Sequence, residues 1–152
     1  MQKKCCFVLV LALFLALFSA CGGMGGYVEE PVLRVTAGET VLYQGKNVGE
    51  WSSGGTSFIS CLPALEDLAK NMIYAETGEE QATLEFSLPP NHLGMECWQY
   101  VDGKLVAGKT ALTEDGKTLE LLPGKWIYQI ITGWSGQNYS GGGRFTFGVE
   151  KE

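Results

Sequence analysis

Beyond residue 30, apolar and polar residues alternate along most of the chain, which is typical of strands that bury one face. The clearest case is residues 83–88, whose even-numbered positions are apolar and whose odd-numbered positions are polar or charged. Pro89 and Pro90 end this run, because proline cannot continue a strand ladder. Further runs predicted to form strands cover residues 33–36, 39–43, 126–132 and 144–150.

Two Asp-Gly pairs predict β-hairpins in the middle of the chain. Asp102-Gly103 separates the run 96–101 from 104–107, and Asp115-Gly116 separates 110–113 from 117–122. Asp-Gly favours tight hairpin turns, because such turns need positive φ angles at their centre. Two successive hairpins predict a meander.

Residues 62–72 form the one segment with a helical pattern. Pro63 suits the first position of a helix, and the acidic pair Glu66 and Asp67 lies near its amino end, with Lys70 near the other end. We expect one or two helical turns packed over a sheet edge.

The first twenty residues have the layout of a secretory signal. Lys3 and Lys4 precede an apolar run, and the small residues Ser19 and Ala20 stand before Cys21. The segment 18–21 resembles the lipobox of bacterial lipoproteins. That resemblance implies a signal peptide over residues 1–20 and a mature protein that begins at Cys21, thioether-linked to diacylglycerol. An uncleaved anchor and a plain secreted protein are the alternatives, although the apolar run is shorter than the roughly 20 residues that span a bilayer.

The lipobox resemblance also predicts where the protein works. Residues 21–30 are rich in glycine and read as a flexible tether, followed by one domain over residues 31–150. Two acyl chains hold a protein stably on a bilayer, where a single chain exchanges. We therefore expect an extracytoplasmic protein, lipid-anchored to the outer face of the cell membrane.

The regular spacing of short strands and turns predicts an all-β sandwich or barrel. Residues 121–128 are similar to the entry into the penultimate strand of fibronectin type III and immunoglobulin-like domains, where a Pro-Gly turn precedes alternating aromatic residues, one of which pins the corner. The chain thus resembles small immunoglobulin-like lipoproteins of Gram-positive bacteria. The resemblance implies an immunoglobulin-like antiparallel β-sandwich of seven to eight strands with one short helix, with Trp98 as a core aromatic residue.

The charge of the mature chain argues against one class of partner. Removal of Lys3 and Lys4 leaves 9 basic against 17 acidic side chains, a net charge of −8. Nucleic-acid phosphates and anionic lipid headgroups repel such a protein. We expect no nucleic-acid partner.

Two cysteines, Cys61 and Cys97, remain in the mature chain after Cys21. Outside the cytoplasmic membrane they could form a disulfide, which would stabilise the fold by roughly 4 kcal/mol in the chain-entropy model. A cysteine within a strand can equally pack as a small apolar residue. The sequence leaves both open. It predicts no metal site, because the His and Cys positions lack the paired spacings of structural zinc sites.

The sequence predicts no catalytic residues and no cofactor. His92 is the one histidine, and it follows Pro90-Asn91 in a predicted surface turn. Pairing with Cys97 would give a nucleophile and base, but nothing marks that thiol as activated. The carboxylates Glu76, Glu79 and Glu80 fit a solvated loop better than a glycosidase pair.

A glycine-rich segment, residues 133–143, is the predicted binding loop. It contains Trp134, Gln137, Asn138 and Tyr139, and exposed aromatic rings with amide groups can stack on and hydrogen-bond sugars or peptides. In immunoglobulin-like sandwiches the matching loop lies at one end, where binding surfaces are usual. The alternative is that Trp134 packs back onto the sandwich.

Together these features predict a lipid-anchored, non-catalytic binding or accessory module for an unknown protein, peptide or glycan. A structural or assembly component of an envelope complex is one alternative. An envelope hydrolase with carboxylate or cysteine chemistry is the other.

Overall fold

The computed structural model of the protein describes residues 26–46, 48–110 and 112–152. The predicted signal peptide and Cys21 lie outside these residues. The described ranges contain eleven strands and one helix: β1 (Leu33–Ala37), β2 (Thr40–Gly45), β3 (Val48–Ser53), β4 (Thr56–Ile59), α1 (Leu65–Lys70), β5 (Tyr74–Thr77), β6 (Gln81–Phe86), β7 (His92–Val101), β8 (Lys104–Ala107), β9 (Thr118–Glu120), β10 (Gly124–Ser135) and β11 (Tyr139–Lys151).

The strands form two sheets, which confirms the predicted all-β sandwich with a short helix. The smaller sheet has the order β2-β1-β6-β9, and the larger has the order β4-β3-β11-β10-β7-β8. All these pairs are antiparallel, while β5 adds a parallel pair at the far half of β11. The described strands outnumber the predicted seven to eight, and the long strand β11 borders β3 along one half and β5 along the other.

The first predicted hairpin forms, whereas the second is reduced to a single bridge. The predicted meander does not form, because β8 is an edge of the larger sheet while β9 pairs with β6 in the smaller sheet. β7 and β8 meet at a two-residue turn in which Asp102 and Gly103 have φ angles of 50° and 76°. The second hairpin brings Leu112 opposite Leu119 and turns at Gly116, whose φ is 66°. Positive φ is the backbone conformation for which the Asp-Gly pattern selects.

The helix is shorter than the predicted 62–72. Ala64 is still extended (φ −62°, ψ 144°), and the N–H groups of Asn71 and Met72 close the last turn onto Leu68 and Ala69. α1 lies against β8 and buries Ala69. Packing on the larger sheet therefore decides which face of the helix is buried.

The core between the sheets is rich in aromatic rings. Trp51, Tyr128 and Phe145 are its largest fully buried side chains. The Tyr128 hydroxyl accepts a hydrogen bond from the Leu122 N–H (2.8 Å), so this residue pins the corner before β10, as the resemblance implied. Trp98 does not lie in this core. It is half-buried on the other face of β7, because the neighbouring Cys97 points inward.

The end of the predicted tether is part of the folded domain. The Val28 N–H donates to Ser53 Oγ (2.7 Å), and the Trp51 indole N–H donates to the Val28 carbonyl (3.1 Å). Val28 precedes β1 and also packs against the core, so it belongs to the folded domain. The flexible tether therefore does not extend to residue 30 as predicted.

Candidate functional site

The predicted binding loop is not a loop. β10 continues to Ser135, β11 starts at Tyr139, and Ser135 pairs with Ser140. The Gly136 N–H donates to the Tyr139 carbonyl (2.9 Å), which closes a tight turn. Among the four predicted binding residues, Gln137 and Asn138 at this turn are exposed.

Trp134 and Tyr139 belong to the interior. Trp134 is 3% exposed, its indole N–H donates to the Leu88 carbonyl (2.9 Å), and its ring meets that of Trp51 edge-on at 6.0 Å. Tyr139 stacks on Trp51 with ring centroids 5.7 Å apart. The sequence signal that identifies this arrangement is alternation. Trp134 lies six residues after the buried Tyr128 on the same strand, so both side chains project from the same face.

The two cysteines are free thiols in this fold. Cys97 is buried on β7, whereas Cys61 is exposed just beyond β4. Because Cys97 faces the core while Cys61 is exposed, the two thiols are unpaired in this structure.

His92 and Cys97 do not form a catalytic pair. They lie five residues apart on one extended strand, β7, so their side chains project from opposite faces, on the order of 16 Å apart along the strand. Burial raises the pKa of the Cys97 thiol, which is the opposite of what activates a nucleophile. His92 is exposed at the start of the strand.

The carboxylates named from the sequence are dispersed. Glu80 forms an ion pair with the buried Lys151 ammonium, which also donates to the Leu121 carbonyl (3.1 Å). Glu79 lies beside the β1–β2 turn at Gly38, and Glu76 lies within β5. In the described part of the chain, no three His, Cys, Asp or Glu side chains come together as metal ligands.

A cleft of about 660 Å³ lies on one side of the sandwich, between β6 and the start of β7; we call it the side cleft. Its volume is in the range of ligand pockets, roughly 300–1,000 Å³. Its apolar lining consists of Leu84, Phe86, Pro89, Pro90, Leu93 and Leu112, and its polar lining includes Thr83, Glu85, Asn91, Thr113, Glu114, Asp115 and Lys117.

The hairpin tip before β9 builds one wall of the side cleft. The Thr113 hydroxyl and the Lys117 N–H donate hydrogen bonds to the Asp115 carboxylate (2.6 and 3.0 Å), and these bonds lower the pKa of Asp115. The tip is therefore a preformed turn that carries a fixed negative charge. Gly116 brings it within van der Waals distance of Leu93 on the opposite sheet.

The floor of the side cleft is a free strand edge. β9 pairs with β6 as far as Thr83, and the Leu84 N–H then donates to the Lys117 carbonyl (2.8 Å). Because backbone groups alternate direction along a strand, the N–H and C=O of Phe86 point to the same side as those of Leu84. No strand of the described residues pairs with Phe86 on that side.

Asn91 holds the remaining wall of the side cleft. Its side-chain oxygen accepts from the Ser135 N–H (2.6 Å), and its own N–H donates to the Gly133 carbonyl (2.9 Å). These bonds fix the crossover from β6 to β7 against the end of β10. The sequence marks Pro89 as the end of a strand and Asp115 as a turn, and no local pattern shows that the two segments meet.

The remaining surface has few concentrated features. Large exposed apolar side chains are scattered, apart from Val101 and Val106 on the β7–β8 hairpin; the others are Tyr27, Val41, Ile59 and Ile73. No helix in the described ranges is long and apolar enough to span a membrane. Comparison of the chain with protein-family models, curated proteins and solved structures finds no match.

Proposed function

We propose that this protein is a lipid-anchored, extracytoplasmic binding or accessory module without catalytic activity of its own. The lipobox-like segment ending in Cys21 supports attachment to the outer face of the membrane. The separation of His92 from Cys97, and the raised pKa of the Cys97 thiol, argue against a cysteine hydrolase.

The side cleft is the proposed ligand site. The observation that carries this proposal is its composition: an apolar floor, a free strand edge at Phe86 and a preformed polar wall at Thr113–Lys117 converge on one cavity. Such a combination suits a ligand that is partly apolar and carries hydrogen-bonding groups. The turn at Gln137 and Asn138, by contrast, is tight and encloses no cavity of its own.

Membrane attachment is tested by Cys21→Ser in the producing cells. The variant should leave the membrane fraction and keep its signal peptide, whereas the matched variant Cys61→Ser should remain in the membrane. Unchanged membrane retention of Cys21→Ser, or mass spectrometry showing an unmodified mature terminus, contradicts the anchoring.

Ligand binding is tested with a photo-reactive residue in intact cells. A cross-linker at Glu114, which is exposed on the side cleft, should give a saturable adduct, while one at Lys104, exposed on β8, should not. Excess unlabelled domain should compete the adduct away. Identical adducts from both positions, or none from position 114, contradict a ligand in the side cleft.

A further inference from the structure

The chain enters the folded domain at one end of the larger sheet. Val28 is fixed to Ser53, and the backbone of Tyr27 lies against Gly54. The Gly54 N–H in turn donates to the Asn138 carbonyl (3.4 Å). Tyr27, the β3–β4 turn at 53–55 and the β10–β11 turn at 136–138 therefore lie side by side; we call this group the anchored end.

The segments that build the anchored end contain no charged side chain. Residues 21–28, 51–65 and 126–143 include no Asp, Glu, Lys, Arg or His. The absence is notable in a mature chain whose side chains sum to −8. The first charged positions beyond the anchored end are Glu29 along the entering chain, Glu50 on β3 and Arg144 on β11.

Charges collect at the opposite end of the molecule. β10 and β11 run from the pair Ser135 and Ser140 at the anchored end to Gly124 and Lys151 at the far end. Lys151 contacts Glu80 there, and the exposed acidic residues of that end include Glu39, Glu79, Glu80, Asp102, Glu120 and Glu152, beside the exposed Lys104 and Lys125. The segments that form the anchored end are thus uncharged. Acidic groups on neighbouring segments include Glu29, Glu50 and the side-cleft tip at Asp115, and further acidic residues lie at the other end.

The length of chain before Tyr27 limits how far the anchored end can stand from the membrane. The six residue steps from Cys21 to Tyr27 span at most about 20 Å when fully extended. β10 alone, at 12 residues, is about 40 Å long. The stretch from Cys21 to Tyr27 is therefore too short to let the domain turn end over end without contact with the bilayer.

We propose that the anchored end rests on the phospholipid surface, with the acidic end directed away from it. This inference depends on the lipid attachment of Cys21 put forward above. An acidic domain held near anionic headgroups is least repelled when its uncharged end faces them. Tyr27 is 63% exposed at that end, and tyrosine rings favour the membrane–water interface. The exposed amides of Gln137 and Asn138 can donate to headgroup phosphates.

The test places a fluorophore at either end of the full lipidated chain in phosphatidylglycerol vesicles that contain a headgroup nitroxide quencher. In a Cys61→Ser background, cysteine replaces Asn138 in one variant and Lys104, near the far end, in the other. The remaining thiol, Cys97, is buried and stays unlabelled. We expect strong quenching at position 138 and none above the detergent-solubilised background at position 104.

A negative charge introduced at the anchored end tests whether electrostatic repulsion from anionic headgroups sets the orientation. With the fluorophore at Thr56, the exposed first residue of β4, Gln137→Glu should reduce quenching on phosphatidylglycerol and not on phosphatidylcholine. The matched variant Gln81→Glu, exposed at the far end, should have no effect.

The outcomes separate this inference from the proposed function. If the protein stays on the vesicles and both ends are quenched equally, or position 104 more strongly, the orientation is wrong while the anchoring stands. If the chain does not stay on the vesicles, the anchoring itself is wrong and the orientation is overturned with it.

Discussion

The indole of Trp134 is held by a hydrogen bond and by ring contacts in the interior. Its N–H is satisfied by the Leu88 carbonyl, and its ring lies edge-on to those of Trp51, Phe86 and Phe145 at 6.0–6.4 Å. Edge-on aromatic pairs stabilise beyond the area that they bury. At the residue scale, Trp134 is therefore a structural side chain.

The variant Trp134→Ala should lower the free energy of unfolding by about 3–5 kcal/mol, because it leaves a large cavity and an unpaired Leu88 carbonyl. Denaturant titration of the purified domain measures this loss. Gln137→Ala, three residues away on the exposed turn, is the control and should stay within about 0.5 kcal/mol of the wild type. A loss below about 1 kcal/mol for Trp134→Ala would contradict its burial.

Tyr128 combines full burial with one hydrogen bond at the corner before β10. Burial raises its pKa from 10.0 to about 12, whereas the hydrogen bond from the Leu122 N–H acts in the opposite direction. The unfolded chain therefore releases this proton at lower pH than the folded chain does. Stability from this group is complete below pH 10 and is lost as the pH rises toward 12.

Tyr128→Phe should be less stable than the wild type by about 1 kcal/mol at neutral pH, since the Leu122 N–H loses its acceptor. Above pH 10 the wild type should lose about 2–3 kcal/mol that the variant keeps, so the order of stability should reverse. Urea titrations of both proteins at pH 7, 9 and 11.5 measure the difference. A constant difference across that range would show that Tyr128 does not titrate with a raised pKa.

At the element scale, the glycines of the β10–β11 hairpin provide space. A Cβ atom at Gly141 would lie 2.5 Å from the Trp51 ring, and one at Gly148 would lie 2.6 Å from the Met72 side chain. Both distances are too short for any larger residue without movement of these neighbours. The glycine-rich stretch that suggested a flexible loop is an extended strand, because its small residues make room for rings from neighbouring elements.

The segment before β1 is a second element whose role depends on its contacts. Its attachment uses the Val28 N–H, Ser53 Oγ and the Trp51 indole. Ser53 is 1% exposed, so its hydroxyl is an interior group and water does not replace it readily. This attachment makes Val28 part of the folded domain.

Ser53→Ala should release the Val28 amide and lower stability by about 1 kcal/mol, because one buried hydrogen bond is lost. Hydrogen exchange of the Val28 amide, followed by mass spectrometry of the amino-terminal peptide, should become faster. Ser57→Ala is the matched control, since its hydroxyl bonds to that of Ser52 at the surface. Equal exchange rates in wild type and Ser53→Ala would contradict the attachment.

At the scale of the whole molecule, the larger sheet organises both proposed surfaces. Its strand β11 pairs with β10 along its full length, with β3 near Tyr139 and with β5 near Lys151. Asn91, fixed to the end of β10, lines the side cleft and bonds to Ser135 beside the anchored end. A ligand in the side cleft would therefore be bound close to the proposed membrane contact.

The local features of this protein could be predicted from its sequence. Alternation gave residues 83–86 of β6, and the Asp-Gly pairs gave the β7–β8 hairpin and the turn at Gly116, because strand faces and positive φ depend on neighbours along the chain. The charge distribution, including the uncharged segments around Trp51 and Trp134, is also a property of sequence alone. Without the fold, however, nothing in it showed that these segments form one end.

Which segments meet, by contrast, depends on the tertiary fold. It placed Pro89 opposite the tip at Asp115 to form the side cleft, left Cys61 exposed while burying Cys97, and buried Trp134. These outcomes depend on strand order and on pairings between distant residues, such as β1 with β6 and β3 with β11. Such pairings are selected by burial of the whole core at once, and a local pattern of residues does not encode them.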